Sequence, residues 1–174
     1  MISSKTSIMA STPPTATEFR LACSQFATGV TVVTAERAPG QVHGMTANSV
    51  TSVSLDPLLL LVCVAEQAKL LPLVKAKKRF GVNVLKENQQ SISKYFAQTE
   101  ENLEVEASLG IRFRWTPSGI PLLEDSLVHL ACNVVASYIA GDHTIFIAEV
   151  ASIEVFDGEP LLYFRGNYRA IAPQ

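Results

Sequence analysis

Charge of either sign is scarce in this chain, and so are cysteine and histidine. Charged residues make up only 17% of its 174 residues, and 14 basic against 16 acidic side chains leave a formal charge of -2. A general nucleic-acid binder needs a basic surplus to neutralise phosphates, and the one basic block is Lys75, Lys77, Lys78 and Arg79. Neither nucleic acid nor a membrane surface is therefore an expected partner. Cys23, Cys63 and Cys132 are odd in number, far apart and set in apolar stretches. They make no disulfide framework or metal knuckle, and we read them as buried thiols of a reducing cytoplasm. His43, His129 and His143 lack the helical spacing that sets two imidazoles on one zinc ion, so no metal site is expected. Long hydrophobic runs are missing too: the longest, LLLLVCVA at 58–65, is far short of the ~20 residues of a membrane-spanning helix. Residues 1–17 are rich in Ser, Thr and Pro without the apolar core of a signal peptide, and read as a flexible tail. No G-x-G-x-x-G joins a strand to a helix and no P-loop occurs, which disfavours a Rossmann fold.

What is abundant is apolar character. With 48% hydrophobic residues, the chain has more apolar surface than one small core needs, which points to an oligomer. Thr17 can cap a helix carrying Phe19, Ala22, Cys23 and Phe26 on one face, ended by Gly29. TVVTA at 31–35, the Val/Thr/Ser-rich stretch 41–55, the apolar run 58–65 and RFGVNVL at 79–85 read as strands. KLLPLVKAKK predicts a short helix interrupted at Pro72, and QSISKYFA a second helix with Ile92, Tyr95 and Phe96 on one face. Residues 98–110 read as a polar surface excursion. The clearest signal is a long antiparallel hairpin, 127–140 and 143–156, followed by PLLYF at 160–164. Six to eight strands with two or three short helices, not alternating, predict a mainly β fold closed into a small barrel.

The stretch GMTANSVTSVSLDP at 44–57 carries the chemistry best. Small and hydroxylated residues there let a planar ligand approach the backbone, with main-chain N–H groups and the Asn48 amide as donors. The same composition also suits a Thr/Ser-rich edge strand facing water. Five further segments accompany it in order: FATGVTVVTA (26–35), FGVNVLKENQ (80–89), SKYFA (93–97), GDHTIFIAEV (141–150) and PLLYFRGNY (160–168). Together they closely resemble the short-chain flavin reductase family, the reductase components of two-component flavin-dependent monooxygenases. The resemblance spans 18–168. It implies an antiparallel, Greek-key FMN-binding split β-barrel occupying 18–174, homodimeric, which uses NADH or NADPH to reduce FMN or FAD for a separate monooxygenase.

Position by position, the resemblance puts Thr31 on the strand approaching the flavin and Met45, Thr46, Ala47, Asn48 and Ser49 along its ring. Asn83 and Gln89 match further positions near the flavin, although an Asn satisfied inside the core fits Asn83 equally. His143, in GDHT, matches the histidine beside the nicotinamide; a turn histidine satisfied by the chain is the alternative. Tyr168 matches an aromatic that packs on the ring or shapes the dimer edge, or simply fills core. The resemblance departs from its pattern at 63–71, CVAEQAKLL. Relatives carry basic or hydroxyl residues there for the flavin phosphate, whereas Glu66, Gln67 and Ala68 stand here and Lys69 is the one cation. Phosphate binding would then rest on Lys69 and backbone N–H groups. The rival reading from another class is a flavin- or haem-binding storage or sensing protein of the same fold without reductase turnover.

Overall fold

A computed structural model describes residues 13–98 and 102–172. Of the expected tail, residues 1–12 lie outside that description. The first helix starts slightly earlier than its sequence signal. Helix α1 (Ala16–Cys23) is capped by Thr15, whose hydroxyl accepts from the Glu18 N–H while the Glu18 carboxylate receives the Thr15 N–H, a reciprocal capping box. It ends at Ser24 rather than Gly29, and none of its residues is buried. Cys23 is exposed on it, Cys63 is half-buried and only Cys132 is fully buried, with its thiol pushed up to about 12 by desolvation.

One antiparallel sheet of seven strands carries the fold. Its strands are β2 (Thr31–Ala38), β3 (Gln41–Ala47), β4 (Val50–Leu55), β5 (Leu58–Ala65), β6 (Arg79–Val84), β9 (Val128–Ala140) and β10 (His143–Val155), in the order β3-β2-β6-β9-β10-β5-β4. Short strands β1 (Thr28–Gly29), β11 (Leu162–Phe164) and β12 (Asn167–Arg169) form a second sheet, and β7 (Phe113–Trp115) pairs with β8 (Pro121–Leu123). These pieces of two or three residues are too short to show a period, which is why the chain reads as having fewer strands than it forms.

The expectation of a split β-barrel is overturned: among the described residues no sheet closes on itself. The outermost strands β3 and β4 are separated in sequence only by Asn48 and Ser49, yet no ladder joins them. The polar groups that could close the seam are used elsewhere. Thr31 Oγ1 donates to the Ala47 carbonyl at 2.6 Å, and the Ser49 carbonyl accepts from the Cys63 N–H at 3.1 Å. Helix α3 (Gln90–Phe96) lies against β3 instead, with Thr46 Oγ1 donating to the Ser93 carbonyl at 2.7 Å. Gly44 permits that approach, since a Cβ there would stand 2.6 Å from the Phe96 ring.

The two faces of β2 serve two cores. Val33 and Ala35 join Val62, Phe80, Phe146 and Val74 on one side, while Val32 joins Leu85, Phe96 and Leu123 on the other. Burial on both faces accounts for the β-branched run TVVTA. Helix α2 (Leu70–Lys77) covers the first core with Leu70, Leu71 and Val74. Pro72 does not interrupt it: the residue lies in the first turn, where a missing N–H leaves no intrahelical bond unmade. Helix α4 (Leu103–Ser108), capped by Asn102, lies in the stretch read as a polar surface excursion and buries none of its residues.

Candidate functional site

A cleft of about 300 Å³ opens where β3, the β5–α2 connection and the end of α3 meet. Met45 and Thr46 of β3 line it beside Ala65, Gln67, Ala68 and Lys69 of the connection and Phe96 of α3. Each wall follows from local sequence. On β3, residues two apart share a face, so His43 and Met45 are presented together. The connection turns sharply because the Ala68 N–H donates to the Ala65 carbonyl at 2.9 Å, after which Lys69 takes the cap position of α2. Small side chains at Gly44, Ala65, Ala68 and Ala97 leave room for a flat ligand, Met45 and Phe96 give it apolar contact, and Lys69 brings a cation to the rim. These residues fit a planar ring with an anionic tail.

The hairpin tip adjoins this cleft. His143, the first residue of β10, is the cross-strand partner of Ala65, and the Asp142 carbonyl accepts from the Glu66 N–H at 2.9 Å. His143 is half-buried, and its Nδ1 lies 2.7 Å from Asp142 Oδ1. That hydrogen bond and the neighbouring imidazole hold the Asp142 carboxyl below its ordinary value. Glu66, which would oppose a phosphate, does not line the cleft. Its carboxylate accepts from Thr144 Oγ1 and lies 3.7 Å from Lys75 Nζ.

The structure thus gathers Met45, Thr46 and Lys69 around one cleft, with His143 one residue from its wall. Thr31 and Asn48 face a different space, a larger and mostly apolar groove of about 590 Å³ lined also by Phe26, Leu58, Leu59 and Ile153. Ala47, the last residue of β3, is buried, and Ser49 is tied to β5 through Oγ donating to the Cys63 carbonyl at 3.0 Å. Asn83 lies in the core with its amide engaged: Nδ2 donates to the Val32 carbonyl at 2.8 Å and reaches Thr34 Oγ1 at 3.1 Å, and Oδ1 accepts from the Leu123 N–H at 2.8 Å. Gln89 is buried at the 3-10 turn before α3, where Oε1 accepts from the Lys86 N–H at 2.9 Å. Tyr168 stands behind the cleft, its hydroxyl 2.9 Å from Ser93 Oγ, the same Ser93 whose carbonyl holds Thr46.

Sequence reasoning passed over His43 and Ser93. His43 is buried and lines the cleft, and the period of two along β3 was the signal that pairs it with Met45. Ser93 is wholly buried between Thr46 and Tyr168, a placement that only the tertiary fold produces.

Comparison with known proteins places the chain in a family. The family described as "Flavin reductase like domain" matches residues 23–172. An NADH-dependent flavin reductase of a Rhodococcus species is 42% identical over 154 residues, covering 87% of this chain and 84% of the other. The reductase component of 4-hydroxyphenylacetate 3-monooxygenase from Thermus thermophilus is 36% identical over 155 residues, covering 88% and 95%. Among solved structures, flavin reductase PheA2 in its native state superposes with a TM-score of 0.82 at 40% identity, covering 92% of this chain and all of that one. This chain belongs to the flavin reductase-like family.

Proposed function

We propose that this chain is an NAD(P)H:flavin oxidoreductase whose flavin site is the cleft between β3, the β5–α2 connection and α3, with the nicotinamide approaching from the hairpin tip at His143. The observation that carries the assignment is the meeting of Met45, Thr46 and Lys69 in one cleft whose wall residue Ala65 pairs with His143. Bound FMN or FAD supplies the hydride acceptor and NADH or NADPH the donor. The protein's part is placement. Met45 and Phe96 give flat apolar contact, Lys69 offers its ammonium to the phosphate, and His143 presents an imidazole to the carboxamide. No acid or base is needed at the carbon centre, so no nucleophile or proton relay is assigned. The product would be reduced flavin, supplied to a separate monooxygenase.

The active form we propose is a cytoplasmic homodimer of a folded unit at 18–174. Helix α1 buries none of its own residues and exposes Phe19, and Phe26, Leu55, Leu58 and Ile153 are exposed around the apolar groove that holds Thr31 and Asn48. A second copy laid on this face would cover them and bring Thr31 and Asn48 to the interface. Sedimentation of the purified chain should give twice its 18.8 kDa mass. A monomer at micromolar concentration would refute the dimer.

NADH oxidation followed at 340 nm, without flavin and then with FMN or FAD, tests the activity. Oxidation that depends on added flavin is the expected result. A protein that binds flavin yet oxidises neither NADH nor NADPH would instead be a storage or sensing module.

A further inference from the structure

Glu66 is a carboxylate placed in the very connection assigned to the flavin phosphate, and three contacts determine where it goes. Its N–H donates to the Asp142 carbonyl at 2.9 Å, one carboxylate oxygen accepts from Thr144 Oγ1, and the other lies 3.7 Å from Lys75 Nζ on α2. Asp142 and Thr144 flank His143 on either side. A single residue therefore grips the hairpin tip around the histidine while belonging to the turn that presents Gln67, Ala68 and Lys69 to the cleft.

The Thr144 contact matters most. Thr144 is only 1% exposed, and its hydroxyl is bonded to the Glu66 carboxylate. A hydroxyl donating to a carboxylate is also a charge-assisted bond, stronger than a neutral pair. The Lys75 ion pair is solvent-exposed and adds little by itself, but it offsets the negative charge beside the phosphate side of the cleft.

We infer that Glu66 is a positioning residue that couples the two halves of the site, holding the phosphate-side turn with Lys69 and the nicotinamide-side tip with His143 at a constant separation. The inference rests on the site assignment made above. It explains how a carboxylate is tolerated at this position: it acts through Thr144, turned away from the cleft.

The test uses the full chain and five variants: Glu66→Ala, Glu66→Gln, Thr144→Val, the Glu66→Ala/Thr144→Val double, and His143→Ala. The readouts are KM for NADH at saturating FMN, Kd for FMN by flavin fluorescence, and thermal unfolding. Thr144→Val keeps the shape of a strand residue and Glu66→Gln keeps an acceptor oxygen, so both should fold. Glu66→Ala and Thr144→Val should each raise KM for NADH about fivefold and weaken FMN about threefold, with little change in unfolding temperature. The double variant should be no worse than either single, since both remove one bond. Glu66→Gln should recover most of the loss. If His143→Ala raises KM while Glu66→Ala and Thr144→Val leave both constants unaltered, the coupling is wrong and the site assignment survives. Additive losses in the double variant would likewise refute it. If His143→Ala also leaves KM unaltered, the site assignment fails and the inference fails with it.

Discussion

The β9–β10 hairpin carries a histidine near each end, and the two ends are built in opposite ways. At one end His129 is buried opposite Glu154. Its Nε2 lies 2.6 Å from the Leu123 carbonyl and its Nδ1 2.8 Å from an Arg114 nitrogen. A carbonyl can only accept, so Nε2 carries the hydrogen, while Nδ1 faces both Arg114 and, at 3.3 Å, the Glu154 carboxylate. Burial, aided by the Arg114 charge, pushes the His129 pKa below its ordinary 6.5, against the opposing pull of the Leu123 carbonyl. At the other end His143 is half-exposed and bonded through Nδ1 to its exposed neighbour Asp142; among the described residues its Nε2 has no partner. A saturated imidazole holds structure, whereas one with a free nitrogen at a cleft's margin can meet a ligand. The same contrast separates the two asparagines, Asn83 consumed by the core and Asn48 exposed on a groove.

The largest effect should come from the saturated side. Asn83→Leu removes three hydrogen bonds and orphans the Leu123 N–H, so it should cost about 3 kcal/mol by chemical denaturation. Unchanged stability with lost flavin binding would instead place Asn83 in the site. His129→Leu strips one of two donors from the Leu123 carbonyl, leaving Ser126 Oγ, and removes the acceptor from Arg114, and should cost about 2 kcal/mol while KM for NADH stays as it was. Lys69→Ala should weaken FMN about tenfold at low salt and leave riboflavin affinity alone, by fluorescence titration. Equal losses for both flavins would show that Lys69 does not meet the phosphate. The smallest effect is on pH dependence. A histidine with a depressed folded pKa binds fewer protons folded than unfolded, so its effect on stability is absent above pH 6.5 and grows unfavourable as pH falls below it. Unfolding free energy should drop below that pH in the unmodified protein, and His129→Leu should flatten the drop.

Much of the fold was legible where a strong period or a long run existed. The apolar run 58–65 became β5 and the two long alternating segments became the β9–β10 hairpin, because burial on a pleated face imposes those patterns. Barrel closure was not legible. It depends on which partner takes the last polar groups of β3 and β4, and Thr31, Cys63 and α3 take them through contacts distant in sequence. The site was legible by half. Met45, Thr46, Lys69 and His143 meet at or beside one cleft, yet Thr31 and Asn48 face another groove, Asn48 lying past the end of β3 in the two-residue link to β4. The fate of Glu66 could not be read from its neighbours, since Thr144 lies 78 residues away.

The most direct test of the central claim is a paired measurement on His143→Ala and His129→Leu, recording KM for NADH with saturating FMN alongside the thermal unfolding midpoint. The expected result is crossed. His143→Ala should raise KM about fivefold with the midpoint unmoved, and His129→Leu should lower the midpoint by about 4 °C or more with KM unmoved. If instead His143→Ala destabilises the fold without touching KM, the hairpin tip is structural and the nicotinamide site lies elsewhere.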